Sequence, residues 1–178
     1  IINTKKFTIL DDRGDNQTAG GIGNRIDVLE YVTKNKIKNV LFAGIFNPQI
    51  FLDLKKNKKN ITIHDKISKK RITLNIHKVT IKNNNAIVTS HNNTIIFTKY
   101  RRPFHYLNDL KELNIHLEDF KILIVKSGYL SPELKTLKAD NFMILTDGFV
   151  TQDFKKIKNI FRERPIFPFQ KNFKYPVL

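Results

Sequence analysis

Residues 39–56 read NVLFAGIFNPQIFLDLKK, and this stretch decides the class of fold. Asn39 to Ile45 is an unbroken apolar run, the pattern of a strand covered on both faces. Asn47-Pro48 follows, with an N-capping side chain and then a proline at the first helical position, so a helix is expected to about Lys56. Upstream, Phe7 to Leu10 reads as a short buried strand that runs into a turn-rich stretch, Asp11 to Gly23. Ile22, Ile26, Leu29 and Val32 are then spaced three or four apart, on one face of a helix. Strand, glycine-rich loop, helix, strand, helix is the order of an α/β fold.

Further along, the pattern changes. Ile61-Ile63, Ile72-Leu74-Ile76 and Ile95-Phe97 sit in alternating, β-branched segments separated by turns such as Lys82 to Asn85 and His91 to Asn93. They predict two or three antiparallel strands. From Asp109 the α/β alternation returns: a short helix around Leu110 and Leu113, a buried strand at Phe120 to Val125, and a helix opened by Ser131-Pro132. A strand at Phe142 to Leu145 follows, and Thr151 is read as the cap of a last helix to about Phe161. The two prolines of Arg164 to Phe169 exclude regular structure there. No repeat or linker is visible, so residues 1–178 are read as one α/β domain, a mixed β-sheet flanked by helices with an antiparallel strand insert.

The net charge is +16, carried by 25 lysines and seven arginines spread along the chain among many asparagines and isoleucines. Such a charge attracts phosphate backbones and anionic membranes. The arginine and aromatic motifs of nucleic-acid readers are missing, however, so the reading does not favour nucleic acid. No apolar run approaches the roughly 20 residues of a membrane span, and residues 1–8 have no signal-peptide core. There is no cysteine, which excludes disulfides and thiolate metal sites. A soluble, cytoplasmic protein is expected. The start at Ile1 suggests a chain processed or excised from something longer.

Three segments together resemble the C-terminal domain of the MlrC-like (microcystinase C-type) metallopeptidase family. DRGDNQTAGGIGNRIDVLEYV, Asp12 to Val32, is similar to the family's opening D-x-G-D-N-P-T-A-G-G loop and helix. RRPFHYLNDLKELNIHLEDFKILIVKSGY, Arg101 to Tyr129, carries its arginine-rich strand end and Lys-Ser motif. Arg164 to Phe169 matches its closing R-P-I-F-P stretch. Gln17 replaces a usual proline, Asn24 a common acidic residue, and Lys55 to Asn60 an expected glycine-rich turn. Lys126-Ser127-Gly128-Tyr129 matches one branch of the family, where others carry histidine and arginine after Lys-Ser.

The resemblance implies a two-domain hydrolase, whose better-known members cleave linear peptides containing unusual residues. It places the zinc ligands and catalytic carboxylate in an N-terminal metal-binding domain that this chain lacks. The chain itself would bind no cofactor and would form part of the cleft for a peptide or small-molecule substrate, with a homo-oligomer as a further expectation. By itself it would not be catalytic. A non-catalytic binding module for an anionic small molecule or peptide is the alternative.

The candidate substrate-binding residues fall in three groups. Gly14, Gly20, Gly21 and Gly23, with Asp15, Asn16 and Thr18 between them, precede a helix; such a loop can present N–H groups to an anion, or it can be simply a tight turn. Lys126 and Ser127 follow a predicted buried strand, where α/β sheets gather ligands, and Tyr129 stands beside them. Lys126 could instead snorkel at the strand end, and a Ser–Lys nucleophilic pair is conceivable but at odds with metal-based chemistry. Arg101 and Arg102, with His105, would contact the missing domain or form a solvated basic strand end. His64, His77, His91, His105 and His116 lack metal-ligand spacing, so no metal site is assigned to this chain.

Overall fold

A computed structural model describes residues 6–157. Nine strands and four α-helices follow one another: β1 (Thr8–Asp12), α1 (Asp27–Lys34), β2 (Val40–Phe46), α2 (Pro48–Lys55), β3 (Asn60–Asp65), β4 (Lys70–Asn75), β5 (Lys78–Lys82), β6 (Asn85–Ser90), β7 (Asn93–Thr98), α3 (Leu107–Lys111), β8 (Ile122–Val125), α4 (Pro132–Lys135) and β9 (Asp140–Ile144). Seven strands form one mixed sheet in the order β5-β6-β7-β2-β8-β1-β9, and β3 and β4 pair as a separate hairpin. From β7 to β9 the strands are parallel; β6 pairs antiparallel with both β5 and β7. The expected α/β class with an antiparallel insert is what the chain adopts.

The continuous apolar runs follow from burial on both faces. Val40 and Phe42 of β2, Ile122 and Ile124 of β8, and Ile95 and Phe97 of β7 point into one core with Leu29 and Val32 of α1, Leu54 of α2 and the β3–β4 hairpin. Leu41, Leu123, Ile96 and Ile9 alternate to the other core, against Leu110 of α3 and Leu134 of α4. In β2 the register against β7 shifts between Phe42 and Ile45, where Gly44 takes φ +87°. A Cβ there would lie 2.7 Å from the Phe104 ring, so only glycine admits this bulge.

Three expectations change. Helix α1 starts at Asp27 rather than Ile22, because Ile22 and Ile26 belong to a loop whose Gly23 has positive φ. The middle holds five strands, not two or three, since β5 and β6 dilute their apolar pattern with Lys, Asn, Thr and Ala. The turns there were legible: Asn83-Asn84 and His91-Asn92 all take positive φ, as tight hairpin turns require. After β9 there is a 3-10 turn, Phe154–Lys156, capped by Asp153 rather than Thr151. The rest of the expected last helix, and Arg164 to Phe169, lie outside the described residues. Within the described residues, no helix is long and apolar enough to cross a membrane.

Candidate functional site

The loop between β1 and α1 runs across the carboxyl ends of the parallel strands, and one carboxylate shapes it. Asp15, 1% exposed, accepts from Gly23 N at 2.8 Å through Oδ1 and from Arg25 N at 2.7 Å through Oδ2. Two backbone donors that a glycine-rich loop could offer an anion are therefore used inside the loop. Asn16 caps the 3-10 turn Gln17–Ala19 by accepting from Thr18 N and from the Thr18 hydroxyl, at 2.9 and 2.7 Å. At Gly23, with φ +85°, a Cβ would sit 1.8 Å from the Gln17 amide nitrogen, so the loop can close only on a glycine.

Lys126, directly after β8, reaches under this loop. Its Nζ donates to Asp12 Oδ2 at 3.0 Å, Asp15 Oδ2 at 2.9 Å and the Arg25 carbonyl at 3.0 Å. An ammonium has three protons, and all three are used. Burial alone would push its pKa down, but the two carboxylates outweigh that and hold it above the ordinary 10.5. It stays protonated and cannot serve as a base, which removes the Ser–Lys nucleophile. The other oxygen of Asp12 accepts from the Thr146 hydroxyl, just after β9. Arg25 extends the network, with Nη2 2.8 Å from Asp27 Oδ2 and Nε 3.2 Å from Asp65 Oδ2.

The basic strand end after β7 meets the same loop. Arg101 Nη2 donates to the carbonyls of Gln17 and Gly21, at 2.8 and 2.9 Å. Arg102 turns away, pairing with Asp109 Oδ1 at 2.7 Å and lying over the Phe104 ring. Ser127 gives its proton to the Tyr129 carbonyl and lies 3.3 Å from His105 Nε2. With its proton directed at that carbonyl, Ser127 does not present it to the imidazole. Tyr129 is 75% exposed, with the Arg13 guanidinium 5.7 Å from its ring centroid.

The candidates thus divide by exposure. Thr18, Gly20, Arg101 and Tyr129 face solvent; Asp15, Asn16, Gly21, Gly23, Lys126 and Ser127 are buried behind them, and Arg102 is intermediate. Sequence reading missed Asp12, Arg25, Asp65 and Thr146. The Asp-x-Gly-Asp spacing was the only local signal for Asp12; the others arrive from distant segments. Among the described residues, no three or more His, Asp or Glu side chains are grouped to hold a metal ion.

Comparison with known proteins agrees with this layout. The solved structure of a "Putative metallopeptidase" from Mesorhizobium sp. BNC1 superposes with a TM-score of 0.68 at 13% identity. It covers 97% of this chain, which spans 40% of that longer one. At that identity the likeness shows the fold. No curated protein matches the sequence. The family model described as MlrC C-terminus matches residues 10–159, most of the chain and every candidate side chain above. The chain belongs to the MlrC C-terminus family.

Proposed function

We propose that this chain is the C-terminal accessory part of an MlrC-like, zinc-dependent peptidase-like hydrolase. It forms one wall of the substrate cleft, while an N-terminal domain of the longer protein holds the zinc. The observation that carries the reading is convergence. The loop after β1, the strand end after β7 and the turn after β8 are far apart in sequence, yet they meet beyond the carboxyl ends of parallel strands, where α/β sheets bind ligands. The buried set, with Asp15 and Lys126 at its centre, holds the loop's shape. The exposed set, Thr18, Gly20, Arg101 and Tyr129, is what a peptide or the neighbouring domain would touch. Zinc in that domain would supply polarisation of the scissile carbonyl and an activated water.

The test compares zinc content and peptidase activity of this chain with those of the protein extended upstream. Stoichiometric zinc and cleavage in the longer form alone would support the division of labour. Zinc binding and cleavage by the 178-residue chain would overturn it.

A further inference from the structure

Away from the convergent loops, at the β5 edge of the sheet, a cavity of about 390 Å3 opens between the outer strands and the segment that joins α3 to β8. Its floor is one face of β5, β6 and β7, and its wall runs from Leu113 to Phe120, held by Leu113 and Ile115 in the second core. The strand register explains the floor. Lys78 lies opposite Thr89, and Thr89 opposite Thr94, so the three form one row across three strands. Side chains opposed in this way stand about 5 Å apart. In the next row on the same face, Thr80 lies opposite Ile87 and Ile87 opposite Ile96, which is fully buried. The core therefore closes at Ile96, and the row beside it is left to polar side chains.

Those side chains are accessible and unsatisfied. Lys78 is exposed, Thr89 and Thr94 are half-buried, and all three line the cavity. Neither threonine hydroxyl nor the Lys78 ammonium has a hydrogen-bond or ion-pair partner among the described residues. Lysines on an edge strand deter pairing with other chains, which accounts for Lys78 and Lys82. It does not account for two hydroxyls on inner strands, in register with the first of those lysines.

Charge and shape indicate the ligand. Three ammonium protons and two hydroxyl protons, offered from three strands, suit a tetrahedral oxyanion better than a flat carboxylate. Lys82 is four residues further along β5, about 13 Å at the backbone. Its Nζ donates to Asn114 Oδ1 at 3.0 Å and keeps two protons for the far end of a ligand. Ile87, Ile115 and Phe120 add apolar lining. Asp119 at the rim is the one carboxylate in that lining, against two lysines, so the cavity is positive even with His116 neutral. The volume is that of a small-molecule site.

We propose that this cavity binds the phosphate group of a small phosphorylated molecule through Lys78, Thr89 and Thr94, with the organic part against Ile87 and Phe120. The inference is independent of the proposed cleft: Thr94 stands at the amino end of β7, whereas Arg101 lies beyond its carboxyl end.

The experiment is NMR titration of the 178-residue chain with phenyl phosphate, inorganic phosphate and phenylacetate, at a fixed ionic strength of about 0.15 M. Phenyl phosphate is expected to saturate shifts at Lys78, Thr89 and Thr94, and inorganic phosphate to act on the same residues more weakly. Phenylacetate should be weaker than phenyl phosphate by roughly tenfold or more. Lys78→Gln should weaken phenyl phosphate by about tenfold, as expected for one charge-assisted hydrogen bond. Lys66→Gln removes the same charge from the exposed β3–β4 turn and should leave binding unchanged. Equal weakening by the two variants would reduce the effect to general attraction by a basic protein and overturn the proposal. So would equal binding of phenylacetate, or no saturation by phenyl phosphate at millimolar concentration. A short single-stranded oligonucleotide that binds more tightly, with shifts spread beyond the cavity, would overturn the small-molecule assignment in favour of a nucleic-acid backbone.

Discussion

Lys126 shows how one side chain can look like a ligand-binding group in sequence and act as a structural tie in the fold. It is 7% exposed and faces two carboxylates that are each 1% exposed, so its charge is balanced where water cannot balance it. Lys126→Met keeps the volume but leaves Asp12 and Asp15 buried without their counter-charge. Breaking a buried pair from one side costs about 3–5 kcal/mol, and urea denaturation should show a loss of that size. With its pKa held above 10.5, the contribution of Lys126 is complete below that pH. It is lost as pH rises through the higher folded value, so the wild type should weaken only in strong alkali. An unchanged midpoint in Lys126→Met would mean that the two carboxylates find other donors. Asp15 could be picked out from the motif, but its partners could not. Nothing local announces that the residue 111 positions away is its cation.

At the scale of elements, helix α1 is fixed to the β3–β4 hairpin by charge as well as by packing. Lys70 at the start of β4 places Nζ 2.8 Å from Asp27 Oδ1 and 3.2 Å from Glu30 Oε2, both in the first turn of α1. Burial pushes the Asp27 carboxyl up, but the hydrogen bonds and charges of Lys70 and Arg25 outweigh it and hold the pKa below 3.8. A carboxyl depressed in the folded state adds stability that is present above its unfolded pKa and lost as pH falls through the folded one. Lys70→Met should therefore cost at most about 1 kcal/mol at neutral pH, because the lysine is partly exposed. That deficit should close as the pH falls below 3.8 and through the depressed folded value of Asp27, where the carboxylates are protonated. A pH-independent deficit, measured by thermal melts at both ends, would assign the effect to lost packing of the lysine stem instead.

Across the whole molecule, the charge of +16 opposes compaction. The described ion pairs concentrate carboxylates around α1 and the loop after β1, while most lysines among the described residues form no ion pair. Raising ionic strength from about 0.01 M to 0.1 M shortens the screening length from roughly 30 Å to 10 Å. The melting temperature should then rise by a few degrees, on the order of 1 kcal/mol for a chain of this size. A flat or falling response would show that the buried pairs, rather than surface repulsion, dominate the salt dependence.

The parallel core could be read from the sequence because continuous apolar runs such as Val40–Phe46 and Ile122–Val125 have few stable homes other than a strand covered on both faces. The hairpin turns could be read too, because Asn and His tolerate the positive φ that such turns demand. The true start of α1, the two polar strands β5 and β6, and the pairing of Lys126 with Asp12 and Asp15 could not. Each depends on which distant backbone or charge lies alongside, and local periodicity carries no record of that. The same holds for Asp11: the sequence shows an aspartate at the end of a strand. Only the packing of β8 and β9 on either side of it buries one of its oxygens without a hydrogen-bond partner among the described residues.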